Sequence, residues 1–228
     1  MHAPFGNYLR YMNRFDPYPD FTRGERIADG AVHTVGIFFA IVATIQLILA
    51  ASGNDNLWTV VALSIYGTAL IGSFVASACY HFTPWDHYRA VLRRIDHAAI
   101  YLKIAATYTP LVVMIESAFA FGILGIVWAL ATVGIIVKLF FWTSPSRWGL
   151  GLYLGLGWLS VALVPSLIPL VSGLTFGLIM AGGLVYSVGA ILFNIEVFRY
   201  QNAIWHTFVL AASLCFCIAI TISILPTG

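Results

Sequence analysis

Seven stretches of the chain are almost purely apolar and long enough to matter: Ala31–Ser52, Leu57–Phe82, Ile95–Ile115, Phe119–Phe141, Trp148–Leu170, Leu174–Val197 and Ala203–Leu225. A helix needs about 20 mostly apolar residues to cross the hydrocarbon core of a bilayer. Each stretch is close to that length, and short polar connections separate them. Between the third and fourth there are only Glu116, Ser117 and Ala118, and that charge and the combined length predict two helices rather than one. The pattern predicts an all-α integral membrane protein, a bundle of seven transmembrane helices. Residues 1–30 form a juxtamembrane segment ahead of a transmembrane domain spanning 31–228.

Composition supports that class. Hydrophobic residues make up 61% of the chain and charged residues 9%, against about 25% charged in a soluble domain. The first apolar stretch follows a long polar and aromatic segment, so a cleaved signal peptide is not expected. The three cysteines all lie in or beside apolar stretches. They read as small buried hydrophobes and not as a disulfide framework.

The charges set an orientation. Arg10, Arg14, Arg23 and Arg26 precede the first span, among Tyr8, Tyr11, Phe15, Tyr18 and Phe21, aromatics expected at the headgroup level. Arg89, Arg93 and Arg94 fall between the second and third spans, Lys138 and Arg147 at the fourth-to-fifth junction, and Arg199 between the sixth and seventh. The alternate connections carry no Lys or Arg. The positive-inside bias therefore predicts a cytoplasmic N-terminus and an outside C-terminus. The arginine cluster reads as a loop that marks topology and touches anionic lipid, not as a nucleic-acid patch. Membrane lipids are the expected partners, and the plasma membrane the expected location. Lys103, inside the third span, is expected to snorkel back toward the cytoplasm.

With this topology, polar residues gather at one depth. Glu25, Asp29 and His33 follow each other at four-residue spacing, one stripe on a helix face. Ser77 and His81 end the second span at the same spacing, and Asn202 and His206 begin the seventh. Asp96 and His97 begin the third, where Asp96 can cap the helix or serve a site. Ionisable groups in a span usually face the bundle interior and serve function. Imidazoles from separate helices beside a carboxylate suit Zn²⁺ with an open position. There Asp96 would act as general base, and Ser77 would bond an oxyanion or orient a ligand. The alternative for Glu25, Asp29 and His33 is a structural hydrogen-bond ladder.

Four segments carry a family resemblance: E-R-I-A-D-G-A-V-H (Glu25 to His33), S-A-C-Y-H (Ser77 to His81), D-H-A-A-I-Y-L-K-I-A-A-T-Y-T-P (Asp96 to Pro110) and N-A-I-W-H-T-F-V-L-A-A-S (Asn202 to Ser213). With these, in this order, the chain resembles the hemolysin III branch of the progestin and adipoQ receptor family. The resemblance implies a seven-helix bundle with zinc near its cytoplasmic face, held by three histidines with an aspartate and a serine nearby. Matching positions here are His81, His206, Asp96 and Ser77, with Asn202 standing where the third histidine belongs. It also implies three functional classes: a metal-dependent hydrolase of lipid amides or esters, a receptor-like regulator of the membrane, or a haemolytic pore former. Lipid hydrolysis by purified protein separates the first from the second.

Overall fold

The computed structural model describes residues 18, 20–52, 56–141, 147–195 and 198–224. Arg10, Arg14, Tyr8, Tyr11 and Phe15, most of the Gly53–Asn56 connection and the C-terminal tail lie outside them. Among the described residues there is no strand, and seven helices are long and apolar enough to cross a membrane. Helix α1 runs Arg23–Ala51, α2 Leu57–Phe82, α3 Asp86–Ile115 and α4 Ala118–Ile136. The fifth span is composite: α5 (Arg147–Trp158), a 3₁₀ segment Leu159–Leu163, and the short α6 (Val164–Leu167). Helices α7 (Gly173–Ile195) and α8 (Gln201–Ile224) complete the bundle.

Local chemistry sets the helix ends. Thr22 and Glu25 form a capping box at the start of α1: Thr22 N–H donates to Glu25 Oε2 (2.9 Å), and Glu25 N–H returns to Thr22 Oγ1 (3.4 Å). The helix therefore starts eight residues ahead of the apolar stretch and takes in Glu25, Asp29 and the latter part of the segment expected to precede the membrane. Asn56 caps α2 through the Trp58 N–H (3.0 Å). Glu116 closes α3 in the left-handed region (φ 51°), and Ser117 caps α4 at once through Ala120 N–H (3.1 Å). That two-residue break separates the third and fourth spans.

The third helix departs from its expected start. It begins at Asp86, not near Ile95, so Asp96 lies ten residues inside it and caps nothing. Arg89, Arg93 and Arg94 sit on the same helix and not in a loop. Arg89 ties the α2–α3 corner by donating to Thr83 O (2.8 Å) and Tyr80 O (3.3 Å). Arg94 donates to Leu139 O (3.0 Å), in the π-helical turn Val137–Phe141 that continues α4.

Helix α3 is the centre of the bundle, with 67% of its apolar window buried against 17% for the fourth, fifth and sixth spans. Around it, α2 packs on α1 and α3, while α8 packs on α7 and returns to α1. Ala40, Ala43, Leu47, Leu63, Tyr66, Leu70 and Phe74 form the main α1–α2 core, joined from α8 by Cys217 and Ile220. Phe38, Leu49, Trp58, Phe140 and Leu184 face outward. An apolar exterior around a polar-centred interior is what a lipid solvent selects.

Candidate metal centre

One end of the bundle holds the N-termini of α1, α3 and α8 and the C-terminus of α2. The i, i+4 pairs from these helices meet there. On α1, Asp29 and His33 lie on the buried face, at 5% and 3% exposure. The carboxylate and imidazole nitrogens of Asp29, His33 and His206 lie within 4.8 Å of one another, a group that could hold a metal ion.

Hydrogen bonds assign the tautomers. His33 Nδ1–H donates to the Asp29 carbonyl one turn back (2.9 Å), which leaves Nε2 with its lone pair. His206 Nδ1–H donates to Asp29 Oδ1 (2.7 Å), with the same consequence. Both Nε2 atoms then point at Ser77 Oγ, at 3.1 Å and 3.2 Å. A hydroxyl has one proton, so it can satisfy one of these lone pairs and not both. Two imidazole lone pairs aimed at one place, each with its far nitrogen anchored, is the donor set that a divalent cation fits.

His81 joins from α2. Its ring centroid lies 4.8 Å from that of His206 and 5.5 Å from that of His33. Its Nδ1 is 3.7 Å from Asp29 Oδ2 and 3.3 Å from the Asn202 side-chain nitrogen. Asn202, which stands where the resemblance implies a histidine, is thus bonded to the edge of His81, while the imidazole from α1, His33, faces His206 at 4.1 Å between centroids. Asp96 is half-buried, with its carboxylate beside the Ser77 hydroxyl.

Glu25, Lys103 and Tyr18 each take specific partners. Glu25 shares the α1 stripe but not the cluster: it caps α1 and accepts the Tyr200 N–H (3.2 Å), tying the start of α8 to α1. Lys103 does not snorkel. It is buried, with Nζ bonded to Ser213 Oγ (2.8 Å): α8 supplies an acceptor at hand, while α3 starts at Asp86, well over a side chain's reach away. Tyr18, ahead of α1, covers the cluster.

The Tyr18 hydroxyl lies 3.1 Å from His81 Nδ1 and 3.3 Å from the His81 carbonyl. Arg89 stacks on its ring at 4.2 Å, and Tyr80 meets it edge-on. Burial pushes the Tyr18 phenol up to about 12, so it keeps its proton and serves as a donor at physiological pH. A narrow cleft passes between Tyr18, Phe21, Phe82, Tyr200 and Asn202 to reach Asp29 and His81. Tyr18→Ala is expected to open it. Loss of the cation–π contact alone, about 1 kcal/mol or roughly fivefold in an opening equilibrium, should raise His81 modification by diethyl pyrocarbonate by that factor. Tyr18→Phe, which keeps the ring, should change it less. Equal modification rates in Tyr18→Ala and native protein would show that the ring does not guard the cleft.

These features define a multi-pass membrane protein with a buried Asp/His/His group able to hold a metal. A family model described as haemolysin-III related matches residues 21–217, and the chain belongs to that family. It is similar to the "Hemolysin-3 homolog" of Bacillus subtilis (strain 168), 35% identical over 201 residues, which cover 87% of this chain and 94% of the relative. It is also similar to the "Hemolysin-3" of Bacillus cereus, 36% identical over 205 residues, covering 90% of this chain and 94% of the relative. Every residue of the cluster, from Asp29 to His206, falls inside the matched region.

Proposed function

We propose that this protein is a zinc-dependent hydrolase of the plasma membrane, cleaving an amide or ester bond in a lipid, with its site at the cytoplasmic face. The observation that carries this reading is the convergence of His33 Nε2 and His206 Nε2 on Ser77 Oγ, with one proton between them. His33 and His206 would hold the ion, with Asp29 and His81 within reach. When bound it supplies a Lewis acid that polarises the scissile carbonyl.

The chain's own residues supply the rest. Asp29 accepts from His206 Nδ1 and so keeps that ring's Nε2 free. Asp96, beside Ser77, takes a proton from the attacking water. Water oxygen bonds to the carbonyl carbon, the C–N or C–O bond breaks, and the proton held by Asp96 passes to the departing amine or alcohol. Ser77 donates its hydrogen bond to the oxygen on which charge develops. Acyl chains stay in the bilayer against the apolar exterior, and only the polar linkage needs to enter.

The test is metal content by mass spectrometry together with fatty-acid release from ceramide and from an ester-linked diacyl lipid. Purified native protein should hold zinc near one per chain and release fatty acid, and His206→Ala should lose both. Stoichiometric zinc with no release from either lipid would end the hydrolase reading. No retained metal in native protein, even after zinc is added, would end the metal reading as well.

A further inference from the structure

The hydrogen bonds that assign the tautomers also set three side chains in a row with a chemistry of its own. Ser77 Oγ lies 3.2 Å from His206 Nε2, and His206 Nδ1–H donates to Asp29 Oδ1 at 2.7 Å. A hydroxyl on one imidazole nitrogen and a carboxylate on the other is the order in which a serine becomes a nucleophile. The base takes the hydroxyl proton, and the acid holds the ring in the tautomer that can accept it.

Two neighbours strengthen the arrangement. His33 Nε2 is 3.1 Å from the same hydroxyl, and the Asp96 carboxylate stands beside it. With both imidazoles protonated at Nδ1, these partners of Ser77 Oγ are all acceptors, so the oxygen has a proton to give and receives none from them. The two imidazoles are not equivalent. His33 Nδ1–H is spent on the neutral Asp29 carbonyl (2.9 Å), whereas His206 Nδ1–H meets a charged oxygen. That charge stabilises the imidazolium formed when the ring takes a proton, which makes His206 the base of the pair. Ser77, His206 and Asp29 are 7%, 5% and 5% exposed, and a hydrogen bond counts for more where water is excluded.

We propose that Ser77 is a nucleophile, with His206 as its base and Asp29 positioning that base, and that this triad opens a carboxylic ester without a metal. Ser77 Oγ bonds to the carbonyl carbon as its proton passes to His206 Nε2. The C–O bond to the alcohol breaks, and His206 Nε2 returns the proton to the leaving oxygen. Water then attacks the acyl-Ser77 ester and gives one proton to His206. The acyl–Oγ bond breaks, the acid leaves, and Oγ recovers its proton from His206. The proposal goes beyond the zinc-dependent reading and does not rest on it. A cation on His206 Nε2 would occupy the lone pair that the base needs, so one chain runs one chemistry at a time.

The experiment is labelling of the purified full-length protein, cleared of metal with a chelator, by diisopropyl fluorophosphate, with the adduct located by peptide mass spectrometry. Ser77 Oγ should bond to phosphorus, fluoride should leave, and the mass gain should fall on the peptide carrying Ser77. Tyr18→Ala is labelled in parallel, so that restricted entry through the cleft cannot mimic an inert serine. His206→Ala should lower the limiting labelling rate about 100-fold or more, the usual contribution of a positioned base. Asp29→Asn should lower it too, at an unchanged half-saturating probe concentration, a split that a merely structural loss would not give. No adduct on Ser77 in either native protein or Tyr18→Ala would overturn the proposal. So would a native limiting rate in His206→Ala or, should that variant fail to fold, in Asp29→Asn. Zinc content enters none of these outcomes, so this proposal and the zinc reading fail separately.

Discussion

Asp29→Asn is expected to weaken metal binding by about 10- to 100-fold, the usual effect of losing a carboxylate that orients a ligating histidine. The substitution keeps the shape of the side chain and removes its charge. In the native protein the carboxylate accepts from His206 Nδ1 at 2.7 Å, lies 3.4 Å from His33 Nδ1 and 3.7 Å from His81 Nδ1. One acid thus serves imidazoles from three helices. An amide offers a single neutral oxygen in its place and can turn an N–H toward a ring nitrogen instead. His206 then loses the partner that fixes its tautomer, and its Nε2 becomes a weaker donor to a cation. Chelator competition on purified protein measures the loss. Zinc retention equal to that of native protein would show that Asp29 neither ligates nor orients.

Gly67→Ala is expected to cost about 1–3 kcal/mol of stability, the range for forcing a methyl into a packed interior. A Cβ at Gly67 would sit 2.3 Å from Thr44 Cγ2, 2.7 Å from its Oγ1 and 2.9 Å from its Cβ. Thr44 cannot step aside cheaply. Its hydroxyl is bound to Ala40 O at 2.6 Å, and the branched Cβ leaves few rotamers on a helix. The α1 and α2 backbones would have to separate, loosening the approach that small residues give helices in a bilayer. Thr44→Ala should relieve part of the clash, so the double variant should melt above Gly67→Ala alone. Additive losses would place the cost elsewhere.

The fold was legible because lipid leaves so few solutions. Runs of apolar residues near bilayer length can only be spans, and Glu116 with Ser117 marked a helix break that the structure makes with a left-handed residue and a cap. The start of α3 was hidden for the same reason in reverse. Asp86 to Arg94 is too polar for a span, so hydropathy reads it as a loop, although nothing in it forbids a helix. Within the cluster, four-residue spacing was enough to align Asp29 with His33, Ser77 with His81, and Asn202 with His206. What spacing on single helices could not supply was how the helices rotate against each other. The Asp29–His206 bond joins positions 177 residues apart, and the entry of His33 depends on that rotation. Lys103 was misread because snorkelling considers one helix and a membrane surface, while the acceptor was Ser213 on another helix. Tyr18 gave no periodic signal, being outside any helix.

The break in the fifth span has a consequence for assembly. A helix that tightens to 3₁₀ frees carbonyls, and in hydrocarbon each unmet one costs several kcal/mol. Here the Tyr108 hydroxyl is shared between Leu156 O (2.8 Å) and Gly157 O (2.7 Å), just ahead of the 3₁₀ segment. Tyr108 belongs to α3, which leaves the ribosome before the fifth span does. The partner for the irregular backbone is therefore already in the membrane when that backbone arrives, and the order of synthesis matches the order in which hydrogen bonds are needed.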